Sequence, residues 1–544
     1  MFTHLTRRSF VSAAAAAAVT SSVARAHRPQ RGMFRHGVAS GDPLHDRVIL
    51  WTRVTPADPH DEVEVKWQIA RDPAMRRIID GGRAHTNIFR DFTVKVDVDR
   101  LEPGRTYYYQ FSVAGDPSPI GRTRTTPLGR VDAARLALAS CSNLPAGLFN
   151  VYALIARRND LDAVLHLGDY LYEYANAAFG DGSLLGRVPL PDREILSLAD
   201  YRQRHAQYKS DIDLQSAHRQ HPFICVWDDH EIANDAWTDG AENHNVELGE
   251  GAWSVRRRAA IRAYFEWMPI REDFRGAFER GPRSRIFRQF RFGNLADLLM
   301  LDTRHFGRDK QSVVPPVSPT AGFPANDPVA NDPARSLLGL EQEAWLDRRL
   351  VASQSRGATW KLLGQQVMMA QLSPSGGQTL FNLDQWDGYI PARERLFRSI
   401  RDNTVENVVV LTGDIHSSWA NELTSNPWSP GYNPETGAGA VGVEFVTPGV
   451  TSPGILDPAQ AAQTAAFVRS VSPHMKYAEL NKRGYVILDI DRERLQGEFW
   501  HVATVDSASR DEALAAAFAT QTGTNHLVPG SGASAARVQV DPAG

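Results

Sequence analysis

Four short apolar runs in this chain each end in side chains that can bind a cation. After Leu136 to Ala139 come Ser140-Cys141-Ser142-Asn143, and after Ala163 to Leu167 come Gly168-Asp169-Tyr170-Leu171-Tyr172. Phe223 to Trp227 runs into Asp228-Asp229-His230-Glu231, and Val408 to Thr412 into Gly413-Asp414-Ile415-His416. Carboxylates, a thiol, a phenol and imidazoles gathered at one sheet edge repel one another and lose hydration unless cations sit among them. Each piece alone has a plainer reading. Asp169 suits a helix N-cap, His230 a surface or capped core histidine, Asp228-Asp229 a solvated turn and Asp414 a turn residue. Cys225 lies inside its run and reads as a small buried hydrophobe, whereas Cys141 stands just past a strand end. The competing reading for these two cysteines is a Cys141–Cys225 disulfide. The regular recurrence at strand ends favours the shared-cation reading, because ligands of open α/β sheets lie beyond the carboxyl ends of the strands.

Those runs lack polar alternation and are separated by helical patterns, as expected of strands covered by helices on both faces. Leu298 to Leu301, Val443 to Val446 and Tyr485 to Ile490 extend the set. Helices are predicted over Leu148 to Arg158, Gly251 to Glu266, Leu340 to Val351 and Ala392 to Asn403. Trp253, Tyr264, Phe265 and Trp267 have helical spacing and read as core. Upstream the texture differs. From Phe34 to Thr126, alternating runs such as Val63-Glu64-Val65-Lys66-Trp67 and Thr93 to Val98 predict a small all-β sandwich. In it, Leu101 to Tyr107 suggests a corner where a tyrosine hydroxyl ties back to upstream backbone. Gly115 to Arg130 reads as a linker. The predicted layout is a leader at 1–26, a β-sandwich at 32–128, an α/β catalytic domain at 129–505, and an Ala-rich helix near Asp511 to Ala519 within a loose tail at 506–544.

At 544 residues the chain exceeds one compact core. Sixty basic against 63 acidic residues leave no basic field to attract nucleic acid. Two cysteines exclude a disulfide scaffold. Thr6-Arg7-Arg8-Ser9-Phe10-Val11, the alanines 13–18 and Ala24-Arg25-Ala26 form a twin-arginine export signal with an A-x-A cleavage site. Its apolar run is shorter than the ~20 residues a membrane span needs. The expected location is periplasmic or secreted.

His36 to Pro43, Gly168 to Tyr174, Trp227 to Asn234, Thr412 to His416 and Val446 to Gly449 together resemble the PhoD-type alkaline phosphatases, exported members of the calcineurin-like metallophosphoesterase group. The resemblance spans nearly the whole chain and implies a metallophosphoesterase-like layered β-sheet core flanked by helices, preceded by an immunoglobulin or fibronectin-III-like β-domain. It implies Fe3+ on Cys141, Asp169, Tyr172 and His416, with Asp169 bridging to a Ca2+ site that includes Asp229 and Asp414. Asn234 is implied as a further ligand and Asp228 as a weaker one. The chain departs from the wider group where Cys141-Ser142-Asn143 replaces Asp-x-His and Gly413-Asp414-Ile415-His416 replaces Gly-His-x-His. Gly364-Gln365-Gln366 is the nearest match to another histidine ligand of that group. Oxygen-rich ligation suits calcium, and thiolate with phenolate suits ferric iron.

The resulting expectation is hydrolysis of phosphate monoesters and diesters by metal-activated water, with His230 stabilising the transition state or protonating the leaving alkoxide and Glu231 orienting it. The His36 to Asp42 segment is assigned a structural role. Expected partners are a small phosphate ester and the twin-arginine translocation machinery, for a monomer without a stable membrane anchor. Two alternatives stand beside this: a phospholipase D-like phosphodiesterase on the same metal site, and a binding module with a vestigial site.

Overall fold

A computed structural model describes residues 32–60, 62–272, 285–317, 322–537 and 540–543. The leader expected at 1–26 lies outside these. Among the described residues, no helix is long and apolar enough to cross a membrane.

Two large sheets hold the core. In the first, of ten strands, Ala133–Ala139, Ala163–His166 and Pro222–Cys225 lie parallel and adjacent. In the second, of seven, Ala296–Met300, Trp360–Gly364, Val408–Thr412 and Gly442–Val446 do the same. Leu136, Leu138 and Leu165 of one sheet share a buried cluster with Leu298, Leu362 and Leu411 of the other. These runs are apolar on both faces because the outer faces are covered too. Trp345, Leu346, Leu396 and Phe397, from helices Leu340–Ser355 and Ile390–Asp402, pack on Leu299, Leu363 and Val410. The four predicted helices are present, and Trp253, Tyr264, Phe265 and Trp267 are buried as core.

Register then positions the chemistry. His166 stands level with Ala139 on one side and Cys225 on the other. The loops that follow, carrying Cys141, Asp169 and Asp228, therefore leave the sheet at one height. Gly364 is likewise level with Met300 and Leu411. The two edges meet where Ser140 bridges Gly449.

The N-terminal region is all-β, and its sheets are shared. Val38–Gly41, Val48–Arg53 and Thr93–Val98 continue the ten-stranded sheet, with Val38–Gly41 parallel to Pro222–Cys225. A five-stranded sheet built on Val63–Ala70 and Thr106–Val113 packs against them through Leu50, Val65, Ile69, Val94 and Tyr109. The tyrosine corner forms: the Tyr107 hydroxyl accepts the Glu102 N–H at 2.8 Å. The His36 to Asp42 segment is framework, with Asp42 buried against Arg288 at 2.6 Å. The Gly115 to Arg130 segment is more than a linker, because Gly121–Arg124 pairs with Thr106–Val113.

The Ala-rich helix expected near Asp511 to Ala519 is instead a strand, Glu512–Gln521, antiparallel to Arg494–Val502. Alanine's helix preference is only a few tenths of a kcal/mol per residue over its rivals. Here a ladder of main-chain hydrogen bonds, with Ala516 and Phe518 packed on the core, outweighs it.

Candidate metal centre

The loops that carry the polar residues are held by buried side chains. The Glu231 carboxylate accepts the N–H groups of Asp169 (3.1 Å), Tyr170 (2.7 Å) and Asp228 (2.9 Å), stapling two strand ends together. Burial, then the Asp169 charge, pushes Glu231 up to about 8. Its expected role of orienting His230 is thereby corrected: its oxygens face main-chain amides. Buried Arg204, from helix Leu198–Lys209, donates to the Tyr172 and Tyr174 carbonyls. The Cys141 carbonyl accepts from the amides of Thr451 and Ser452, and the Ser452 hydroxyl donates to Tyr172 Oη at 2.7 Å.

Cys141, Asp169, Asp414 and His416 all have positive φ (60°, 54°, 61° and 56°). Non-glycine residues adopt this region at a cost, and such strain concentrates at functional sites. Gly168 shows why the loop is tight: a Cβ there would lie 2.4 Å from Asp228 Cβ.

The expected donors converge. Tyr172 Oη donates to Asp169 Oδ2 at 2.9 Å and lies 3.2 Å from His416 Nε2. Cys141, Asp169 and His416 bring one ligand atom each within 4.8 Å of one another; so do Asp169, Asp229 and His230, and so do Asp228, Asp229 and Asp414. Asp169 belongs to the first two groups and Asp229 to the last two, so the groups form one chain of potential cation sites. Burial first, then the Asp169, Asp414 and Asp228 charges, pushes the Cys141 thiol well up, so a thiolate there needs a cation beside it. Asp169 Oδ1 and Asp228 Oδ2 are buried without a hydrogen-bond partner, which suits oxygens held for a metal. Both cysteines are free and buried, so the disulfide alternative is not realised.

Asn234 reaches the centre through its neighbours. Its N–H donates to Glu173 Oε1 at 2.8 Å and its side-chain amide to Glu242. Gln365 and Gln366 are engaged elsewhere. Gln365 donates to Thr412 Oγ1 and accepts from Trp386, while Gln366 accepts from Thr303 and donates to the Leu301 carbonyl.

Two residues of the centre escaped the sequence reading. Glu173 Oε2 lies 2.6 Å from His230 Nδ1, both side chains fully buried. Burial opposes the Glu173 charge, but His230 beside it holds the carboxyl below its usual range. Arg304 is the second. Its guanidinium donates to Asp228, Asp384 and Asp414 and lies 3.7 Å from Asp229, with no exposure. Burial disfavours its charge, but the Asp228, Asp229, Asp384 and Asp414 carboxylates outweigh this and keep it protonated. Arg304 follows the run Leu298 to Leu301, so the strand-end rule that found the other loops also points here.

Comparison with known proteins agrees with this geometry. The family model described as PhoD-like phosphatase matches residues 136–499, and that for the PhoD-like phosphatase N-terminal domain matches residues 17–127. The chain is 37% identical over 465 residues to alkaline phosphatase D of Bacillus subtilis (strain 168), covering 83% of this chain and 75% of the relative. A solved structure of PhoD superimposes with a TM-score of 0.81 at 34% identity, covering 92% of this chain and 93% of that one. The chain therefore belongs to the PhoD-like phosphatase family and is a phosphoric ester hydrolase.

Proposed function

We propose that the chain is an exported alkaline phosphatase that hydrolyses phosphate monoesters, and diesters at the same site, with Fe3+ on Cys141, Asp169, Tyr172 and His416 and Ca2+ on Asp169, Asp229, Asp414 and Asn234. The observation that carries this reading is the convergence of Tyr172, Asp169 and His416, far apart in sequence, around a shared set of donor atoms. The donor chemistry fits two unlike ions. Thiolate, phenolate and imidazole suit ferric iron, and carboxylates with an amide suit calcium. Asp414 oxygens accept from Arg304 and Gln385, and each carboxylate oxygen keeps a second lone pair for a cation.

Bound there, the cations supply neutralisation of the phosphoryl oxygens and a lowered pKa for water. The side chains do the rest. Glu173 at Nδ1 fixes the His230 ring and stabilises its protonated form, which turns Nε2 toward the centre as a donor. In-line attack of hydroxide, left when water gives a proton to solvent, forms one P–O bond to phosphorus and breaks the bond to the alcohol; the alcohol oxygen takes the His230 proton, and His230 regains one from solvent. Arg304 balances the carboxylates, so that they do not repel an anionic substrate.

Export rests on the paired arginines Arg7 and Arg8 and the Ala24-Arg25-Ala26 exit. Release of nitrophenolate from nitrophenyl phosphate and from its bis-ester, by protein loaded with iron and calcium, tests the catalytic reading. Turnover of the monoester supports it, preference for the bis-ester alone shifts it to a phosphodiesterase, and no turnover of either defeats it.

A further inference from the structure

The centre has an apolar annex. Asp414 and His416 form one wall of a partly enclosed hollow of about 160 Å3 whose other walls are Leu372, Phe381, Trp419, Ile455, Val468 and Leu480. Most of these side chains are buried, so the hollow, which is open on one side, is cut into the core. The helix Pro458–Val471 closes one side with Val468. Phe179 lines the hollow beside Asp414 and His416. Its ring stacks on His416 at 5.9 Å and on His230 at 6.3 Å, the second nearly parallel at 9°. A cavity of roughly 150 Å3 lined by leucine, isoleucine and phenylalanine holds one benzene ring.

We propose that this hollow is the subsite for the alcohol portion of the substrate, and that it takes an unbranched alkyl chain or a single aromatic ring. The inference rests on the catalytic reading given above and adds the substrate class to it. The alcohol oxygen must lie near the donor that protonates it, and Phe179, which lines the hollow, packs on His230. Asp414 and His416 lining the same space put phosphorus at its mouth. The walls are mostly apolar, with Asn382, Ser417 and Thr464 among them, so apolar contact is what the hollow chiefly offers an alcohol.

The n-alkyl monophosphates, from methyl to octyl, test this on the metal-loaded enzyme, because their leaving groups differ in apolar length and hardly in acidity. Each added methylene is expected to raise kcat/KM about fourfold until the hollow is full, from the usual transfer free energy of a methylene. The gain should lie in KM with kcat unchanged, since the chain binds ground state and transition state alike. Val468→Phe, which fills the hollow from the helix side, should flatten the climb. A kcat/KM that does not change with chain length in the wild-type enzyme overturns the subsite while leaving the catalytic reading intact. A climb that Val468→Phe leaves unaltered overturns the placement. No turnover of any ester defeats the catalytic reading and this inference with it.

Discussion

His230 Nδ1 lies 2.6 Å from Glu173 Oε2, and both side chains are sealed from solvent. A carboxylate at one ring nitrogen stabilises positive charge on the imidazole, which fits the acid role proposed above for Nε2.

His230→Ala should lower kcat about 100-fold on alkyl phosphates, in the usual range for losing a general acid. The loss should be much smaller on nitrophenyl phosphate, whose leaving group departs without a proton. Glu173→Gln should reproduce the pattern at reduced size. Iron and calcium content should stay at the wild-type level in both variants, as measured by elemental analysis. Equal losses on both ester types would mean that His230 does not act as the acid.

Arg304 neutralises a buried group of carboxylates. Removing one partner of such a cluster leaves uncompensated buried charge and typically costs 3–5 kcal/mol, roughly. Arg304→Met should therefore unfold at lower urea concentration, and added calcium should recover more stability in the variant than in the wild type. Urea titrations with and without calcium check this. A variant as stable as the wild type without calcium would show that Arg304 does not serve this role.

Lys209 is buried, with its ammonium 2.9 Å from His218 Nε2 and over the rings of Trp51 and Tyr170. Burial lowers its pKa to about 7 from an ordinary 10.5. Between those values the unfolded chain binds more protons than the folded one, so this residue makes stability rise as pH climbs from about 7 to 10.5, and its cost is complete below 7. Lys209→Met should stabilise the protein at pH 7 and reduce the upward slope. Denaturation midpoints of both proteins across that interval give the answer; parallel slopes would contradict it.

How far the sequence disclosed the site depends on what kind of signal each residue leaves. Cys141, Asp169, Asp229, Asp414 and His416 sit at the ends of apolar runs, and parallel register turns that local mark into spatial convergence. Arg304 sits at such an end as well, but an arginine reads as a surface residue until Asp228, Asp384 and Asp414 are seen around it. Glu173 is one residue from Tyr172, yet its meaning is its contact with His230, 57 residues away. The Glu512–Gln521 strand was hidden by its alanines, because pairing with Arg494–Val502 is a tertiary fact. The apolar hollow was invisible for the same reason: its walls come from segments between Phe179 and Leu480.

The central claim is that Cys141, Asp169, Tyr172 and His416 bind one ferric ion. Elemental analysis and a visible spectrum of purified wild-type protein and of Tyr172→Phe test it most directly. Iron stoichiometric with the chain, a charge-transfer band in the visible, and loss or marked shift of that band in Tyr172→Phe are the predicted result. Fully active wild-type protein that is colourless and free of iron would contradict it.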